Sequence, residues 1–392
     1  TLVYQVLRTL GYKTGMIGTV ETRIGNEVRP SRLTTPDAVT LSGLLQEMAS
    51  KDTAYAIMEV SSHAIEQERV KGISFDVAAF TNITQDHLDY HESMEAYIQA
   101  KKMLFDSLDA SSIAIINRDD PASEHMIKDC PAEIWSFGFK YDRDFRIIDE
   151  GSDGMVLDLD GTIVSTPLTG TFNAYNVAQA YLICLALGCT KASVANALSE
   201  AKGARGRLER VLVDIAQQDD VVGPAAAPTV FIDYAHTPDA LENVLKTLAG
   251  VKSNKEKLHV VFGCGGDRDR TKRPLMGKIA ENYADLVTIT SDNPRTEDPI
   301  SIIRDIRKGI GKTEQVFIEP DRKKAIRSSI LDSDIHSIVI IAGKGHETYQ
   351  EVHGRRHKFD DKEIAEKALR QWVDRRSGRK TTRNLKKNPE AN

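Results

Sequence analysis

The sequence predicts an α/β protein built from two successive, mainly parallel, doubly wound domains. Three observations carry this. Short apolar runs of strand length, such as residues 77–81, 113–117 and 337–342, alternate with stretches of helical periodicity. A chain of 392 residues favours two or three hydrophobic cores over one. The alternation is broken at Gly203-Ala204-Arg205-Gly206-Arg207 and then resumes, which places a domain boundary between residues 207 and 210.

Taken in order, Leu2, Val6, Leu7 and Leu10 form an apolar stripe at helical spacing, and Gly11 is placed to stop that helix. A chain opening with Thr1 inside a helix is expected to be truncated at its N-terminus. Residues 39–49 and 94–108 read as helices, and residues 54–60, 77–81 and 113–117 as buried strands. Within the second helix, Ala100, Met103 and Leu104 are expected on the buried stripe. Residues 132–167 change character to short strands with Gly and Asp turns, expected as an antiparallel extension. Helices follow at 172–187 and 191–201. A polar, then Ala- and Pro-rich loop is expected at 217–228. The second half repeats the pattern, with strands at 229–233, 258–263, 286–290 and 337–342. Helices are expected there at 238–248, 273–283, 301–310 and 323–331. The domains are therefore 1–207 and 208–374. Residues 375–392, with seven basic residues and one acidic, read as a solvated, disordered tail.

Composition narrows the function classes. Hydrophobic residues make up 41% and charged residues 28%, as in globular proteins. No apolar run reaches membrane-spanning length and no signal peptide opens the chain, so a cytoplasmic location without membrane insertion is expected. A net charge of −5 gives no reason to expect nucleic-acid binding. Cys130, Cys184, Cys189 and Cys264 lack CxxC spacing and read as reduced thiols.

The chemistry-bearing residues cluster at predicted strand ends, the edge at which open α/β sheets bind ligands. Glu59-Val60-Ser61-Ser62-His63 ends one strand, and the next leads into a segment containing His87. A carboxylate and an imidazole at one edge can share a divalent cation, but a helix-capping Glu59 and a loop His87 fit equally well. Lys101 and Lys102 are adjacent in a helix, so one is expected to point partly inward, where desolvation favours the neutral amine that can form a carbamate. An ordinary solvated lysine remains the simpler reading. Asn173 and Asn176 lie three apart at the start of a helix, suited to an adenine edge or to capping. In the second half, DYAHTPD (233–239), GCGGDRD (263–269), DNPR (292–295) and the segment Gly343-Lys344-Gly345-His346-Glu347 each follow a strand. Any one of these is ordinary loop chemistry. Four at one edge argue for a small, charged, zwitterionic ligand.

These segments, together with GTFNAYN (170–176) and KRPLMG (272–277), occur in the order found in the Mur ligases, and the chain most resembles their diaminopimelate-adding type. The resemblance covers nearly everything up to the basic tail. It implies a central P-loop-type sheet domain followed by a Rossmann-like C-terminal domain, and an ATP-dependent ligase of peptidoglycan biosynthesis. The implied partners are UDP-muramoyl dipeptide, meso-diaminopimelate and ATP, with Mg2+ as cofactor and a monomeric protein. Carried over position by position, Thr34, Thr35, Ser61, Gln67 and Arg69 contact the UDP-peptide. Glu59, His87 and a carbamylated Lys101 hold magnesium and serve catalysis. Asn173, Asn176, Arg207 and Asp233 meet the nucleotide. Arg268, Asp292, Asn293, Pro294, Arg295, Gly343 and Glu347 form the diaminopimelate pocket, with Arg295 on the distal carboxylate and Asp292 and Asn293 on the distal ammonium. The family's glycine-rich loop ending in Gly-Lys-Thr-Thr is expected upstream of Thr1. Competing readings are a lysine-adding homologue, a folylpolyglutamate synthase-like ligase, or a non-catalytic binding remnant; DNPR and KRPLMG favour the cell-wall enzyme over the synthase, and Arg295 speaks against the lysine-adding homologue.

Overall fold

The computed structural model describes residues 1–83, 88–91, 93–141, 144–213, 227–311 and 314–376. His87, most of the expected loop at 217–228 and nearly all of the basic tail lie outside them. The chain divides into two units, Thr1–Ala204 and Arg205–Asn392.

The first unit opens with α1 (Leu2–Thr9), stopped as Gly11 takes φ 88°. A meander of β1 (Thr14–Ile17), β2 (Glu21–Ile24) and β3 (Glu27–Pro30) follows, then α2 (Ala38–Ser50), capped by the Asp37 carboxylate on the Thr40 N–H at 3.0 Å. β4 (Tyr55–Met58) joins β1 in parallel, giving the order β3-β2-β1-β4. After α3 (Ser62–Glu66) come β5 (Val77–Phe80), α4 (Leu88–His91), α5 (Met94–Asp106), β6 (Ile113–Asn117), α6 (Ser123–Ile127) and β7 (Glu133–Phe137). β5, β6 and β7 form a parallel sheet. β8 (Phe145–Gly151), β9 (Gly154–Leu159) and β10 (Thr162–Thr166) make an antiparallel meander over which α7 (Thr171–Ala186) and α8 (Lys191–Ser199) pack. The expected antiparallel extension is thus β8–β10, whereas β7 belongs to the parallel sheet.

Three expectations fail in this unit. The β1–β3 meander was not foreseen. β4 is only partly buried, with Ala56 exposed: Tyr55 and Ile57 flank one core while Met58 and Val60 flank another. In α5, Met103 is 44% exposed and Lys102 only 7%. The helix is covered on two sides, so Ile98 and Phe105 enter the sheet core, and Lys102 follows them at helical spacing.

In the second unit β11 (Glu209–Arg210) pairs antiparallel with β12 (Thr229–Asp233). There follow α9 (Pro238–Val251), β13 (Lys257–Phe262), α10 (Lys272–Tyr283), β14 (Leu286–Ile289), α11 (Pro299–Arg307), β15 (Val316–Ile318), α12 (Arg322–Leu331) and β16 (Ser337–Ala342). The unit ends in the hairpin β17 (Tyr349–Val352) and β18 (Arg355–Lys358), then α13 (Asp361–Arg376). The sheet order is β11-β12-β16-β13-β14-β15, with β12 to β15 and β16 all parallel. β16 shows why it is doubly wound. Ile338 and Ile340 face a core built on α9, α10 and α11, while Val339 and Ile341 face one built on α12 and α13. α11 begins two residues earlier than its apolar spacing suggests, because Asp298 caps it and Pro299 occupies its first turn.

Candidate active site

In the first unit, β4 delivers Glu59 to its carboxyl edge, where the residue is exposed. Its Oε2 accepts from the Thr19 N–H at 3.0 Å and the Thr19 hydroxyl at 2.5 Å, and that hydroxyl lies 3.1 Å from Thr34 Oγ1. Thr35 is 1% exposed and faces inward: its hydroxyl donates to the Glu59 carbonyl at 2.8 Å and accepts from the Ser61 N–H at 3.1 Å. Ser61 caps α3. Arg69 donates to the Thr35 carbonyl at 2.8 Å and to Gln67 Oε1, and Gln67 in turn donates to the Tyr90 hydroxyl at 3.1 Å. The structure thus gathers Thr34, Thr35, Glu59, Ser61, Gln67 and Arg69 into one connected group. Thr19 belongs to it and was missed, since nothing in its sequence surroundings marks it.

On α5 the two lysines part. Lys102 turns inward and pairs with Asp106, whereas Lys101 is half-buried with its ammonium 5.1 Å from the centre of the Tyr97 ring. Tyr97 stacks on His91, whose Nε2 meets the Ser62 hydroxyl at 2.8 Å. That chain of contacts links the helix carrying Lys101 to the segment just after Glu59. Among the described residues no group of three or more His, Cys, Asp or Glu stands ready to hold a metal.

On α7 the N-cap is Gly170, not Asn173. Asn173 is buried and donates to the Thr169 carbonyl at 2.8 Å, while its Oδ1 takes an Asn176 N–H at 3.2 Å. Between them Tyr175 donates to Asp119 at 2.6 Å. Asp119 also binds the backbone N–H groups of Phe139, Lys140 and Tyr141.

In the second unit the four strand-end segments do converge at one edge. Asp233 closes β12 and accepts from the Leu208 and Ala235 N–H groups at 2.6 and 2.7 Å. Burial raises its pKa, against those two donors and the Arg207 charge. The Arg207 guanidinium lies 5.3 Å over Tyr234, and burial, then the Arg207 charge, lowers the pKa of nearby His346.

Beyond β14, Asp292, Asn293 and Pro294 are buried. Arg295 sits at φ 51°, and the turn is pinned to the β17–β18 hairpin by Arg295 N–H to the Glu351 carbonyl at 3.0 Å and His353 N–H to the Arg295 carbonyl at 2.6 Å. The Arg295 guanidinium donates to the Gly266 carbonyl at 2.6 Å; a Cβ on Gly265 would stand 2.9 Å from it. Gly343 takes φ 118°, and a Cβ there would come 2.5 Å from Asp292 Oδ2, so only glycine lets the β16 turn lie against that carboxylate. Burial raises the Asp292 pKa, opposed by the charges of Arg322 and Lys344. Arg268 is exposed and donates to its neighbour's carbonyl at 3.4 Å.

Sequence reasoning missed the buried cations of this cluster. Lys344 is fully buried, 2.9 Å from both Asn293 Oδ1 and Glu347 Oε2 and 4.0 Å from Asp292 Oδ1. Arg322, also fully buried, holds Asp361 with two bonds of 2.9 and 2.7 Å. It also donates to the Ala342 carbonyl at 3.0 Å and the Ser291 carbonyl at 3.4 Å, joining the ends of β16 and β14. One expectation is corrected. Asn293 Oδ1 already accepts from Lys344 and from the Glu351 N–H, each at 2.9 Å, so it is not open to an ammonium.

Residues 1–184 match the family described as the Mur ligase middle domain, and residues 206–345 the Mur ligase glutamate ligase domain. The UDP-N-acetylmuramoyl-L-alanyl-D-glutamate–2,6-diaminopimelate ligase of Cytophaga hutchinsonii is 41% identical over 373 residues, covering 94% of this chain and 74% of that protein. The Bacillus licheniformis enzyme of the same name is 42% identical over 380 residues, covering 94% and 75%. A solved structure of a ligase with that name superposes with a TM-score of 0.72 at 35% identity, covering 95% of this chain and 75% of the other. A Mycobacterium tuberculosis folylpolyglutamate synthase, at 19% identity and TM-score 0.56, shares the fold.

Proposed function

The chain belongs to the Mur ligase family, and from that premise we propose that it is the ATP-dependent ligase that adds meso-2,6-diaminopimelate to UDP-N-acetylmuramoyl-L-alanyl-D-glutamate in peptidoglycan synthesis. The observation that supports it most is the second unit's pocket, where the buried carboxylate of Asp292 and the half-buried one of Glu347 lie with the DNPR turn that carries Arg295. A ligand end bearing both an ammonium and a carboxylate satisfies that set. Lysine, with an ammonium alone at that end, would offer Arg295 no carboxylate beyond that of Glu351, 3.8 Å away.

In this reading a carboxylate oxygen of the D-glutamate attacks the γ-phosphorus of ATP, and ADP departs. The amine nitrogen of diaminopimelate then attacks the acyl carbon, losing a proton as phosphate leaves and the amide forms. Thr34, Ser61, Gln67 and Arg69 orient the UDP-peptide, with Thr35 holding the Glu59 backbone from inside. Asn173, Asn176, Arg207 and Asp233 serve the nucleotide. Glu59 is exposed beside the hydroxyls of Thr19 and Thr34, an all-oxygen setting that suits Mg2+. With His87 and a carbamate on Lys101 it would hold the ion, which neutralises phosphate charge when bound. Lys101 is half-buried, and that partial desolvation is what supports a carbamate there. The proposed setting is cytoplasmic and the protein monomeric.

The deciding assay follows ADP release with the UDP-dipeptide, ATP and Mg2+, offering meso-diaminopimelate or lysine as acceptor. Turnover with diaminopimelate at least about 100-fold more efficient than with lysine is expected. Equal use of lysine overturns the reading.

A further inference from the structure

We propose that Lys344 is a positioning residue that sets the polarity of the acceptor pocket, and through it the handedness accepted at the far stereocentre of the diamino acid. The inference rests on the assignment of this pocket to diaminopimelate.

Asn293 is the pivot. An amide oxygen accepts two hydrogen bonds, and both are taken: one from the Lys344 ammonium and one from the Glu351 N–H, each at 2.9 Å. Neither partner can accept, so the orientation of the amide is set by chemistry. Its nitrogen donates once, to Glu347 Oε2 at 2.9 Å, and keeps one N–H. Asn293 can therefore offer a ligand only a donor. Lys344 enforces this from a fully buried position, with its ammonium also 5.4 Å from the centre of the Tyr349 ring.

Charge leads to the same arrangement. Asp292 and Glu347 are two carboxylates around one ammonium, which leaves one negative charge for a ligand. The neighbouring Arg322–Asp361 pair is closed on itself by two hydrogen bonds. The pocket thus holds one cation subsite, at Asp292 and Glu347, and one anion subsite, at the spare Asn293 N–H and Arg295, whose guanidinium also lies 3.8 Å from the Glu351 carboxylate. The far end of diaminopimelate carries one ammonium and one carboxylate on a single carbon. Inverting that carbon exchanges the two groups, so fixed subsites of opposite sign accept one configuration and reject the other. Without Lys344 the amide loses one of the contacts that orient it, keeping the Glu351 N–H and the Glu347 carboxylate, and Asp292 and Glu347 confront each other unscreened.

The test compares meso- with LL-diaminopimelate in the intact protein, wild type against Lys344→Met, reading KM for each isomer, for ATP and for the UDP-peptide. The wild type is expected to prefer the meso isomer by about 100-fold, and Lys344→Met to reduce that ratio at least about tenfold while KM for ATP stays within about threefold. An unchanged isomer ratio in the variant overturns the proposal, as does a parallel rise in every KM, the mark of a merely structural role. Asn293→Asp decides the matter should Lys344→Met fail to fold. It keeps an oxygen for Lys344 but replaces the amide nitrogen, with its spare N–H and its bond to Glu347, by a second oxygen, so KM for the meso isomer should rise about 100-fold while KM for ATP stays within about threefold. A wild-type KM in Asn293→Asp also overturns the proposal. Failure of the wild type to use any diaminopimelate isomer strikes instead at the functional reading beneath it.

Discussion

The two candidate sites are built on opposite principles. Glu59 in the first unit is exposed and held by one threonine, with further hydroxyls close by. Asp292, Asn293 and Lys344 in the second unit are buried and bonded to one another before any ligand arrives. The difference matches the proposed tasks. A site for a hydrated cation and a transferring phosphoryl group needs open coordination positions. A site that must tell one amino acid from another gains by fixing its donors and acceptors in advance, because a wrong ligand then leaves buried groups unpaired. Substitutions in the first site should therefore act on turnover, and those in the second on acceptor affinity.

The sharpest way to break that contrast is Lys101→Ala. If the carbamate supplies a ligating carboxylate, kcat should fall by roughly 1000-fold or more, with little change in KM for diaminopimelate, and a short-chain carboxylic acid should restore part of it. Steady-state kinetics with and without added acetate checks this. Activity retained without rescue removes Lys101 from the chemistry.

Arg295→Ala probes the opposite corner. Losing a charge-assisted bond to the distal carboxylate should cost on the order of 2–5 kcal/mol, seen as a steep rise in KM for diaminopimelate. KM for ATP should hold. The guanidinium is also bound to the Gly266 carbonyl, so Arg295→Lys separates charge from shape: a lysine that restores full affinity would show that the planar fork is not required.

What the sequence disclosed, and what it hid, follows the same division between local and distant interactions. Parallel strands buried on both faces are continuous apolar runs, so β6 and β16 are legible from residue order alone. The short β3 is mostly exposed and carries no such run, and α13 buries only Asp361, Ala365, Ala368, Leu369 and Trp372 along sixteen residues. Both escaped notice. At the site, Asp292, Arg295 and Glu347 stand out as polar groups after strands. Lys344 stands between two glycines and reads as solvated. Its burial depends on Asn293, fifty-one positions away, and no periodicity encodes that pairing.

His259 tests whether the second unit's rigid interior reaches beyond its pocket. The imidazole is buried in the sheet, bonded to Thr288 Oγ1 at 2.8 Å, and burial lowers its pKa from 6.5 to about 4. A depressed histidine pKa stabilises the fold above the unfolded value. As pH falls from 6.5 towards 4 the unfolded chain takes up the proton that the folded one refuses. The second unit should lose up to about 3 kcal/mol across that window. Urea unfolding at pH 7 and pH 4.5 measures it. His259→Gln should flatten the dependence, and an unchanged slope would assign it to other groups.

The smallest expected effect lies beside the largest. Lys102 adjoins Lys101 in α5, yet its stem follows Ile98 and Phe105 inward and its ammonium pairs with Asp106. The sequence alone suggests that Lys102→Ala is silent. Burial argues otherwise, since alanine would remove methylenes packed in the core. Lys102→Met separates the two contributions by keeping the apolar stem and deleting the charge. The Asp106 side chain is 38% exposed and can rehydrate when its partner goes, so the methionine variant should lose no more than about 1 kcal/mol. Its turnover should stay within about threefold of wild type. Thermal unfolding and the ADP-release assay, run on Lys102→Met and Lys101→Met together, give four numbers. The division of roles holds if stability falls slightly in the first variant and activity collapses in the second. A collapse of turnover in Lys102→Met, with the fold intact, would move the reactive amine one position along the helix and turn it to the core-facing side.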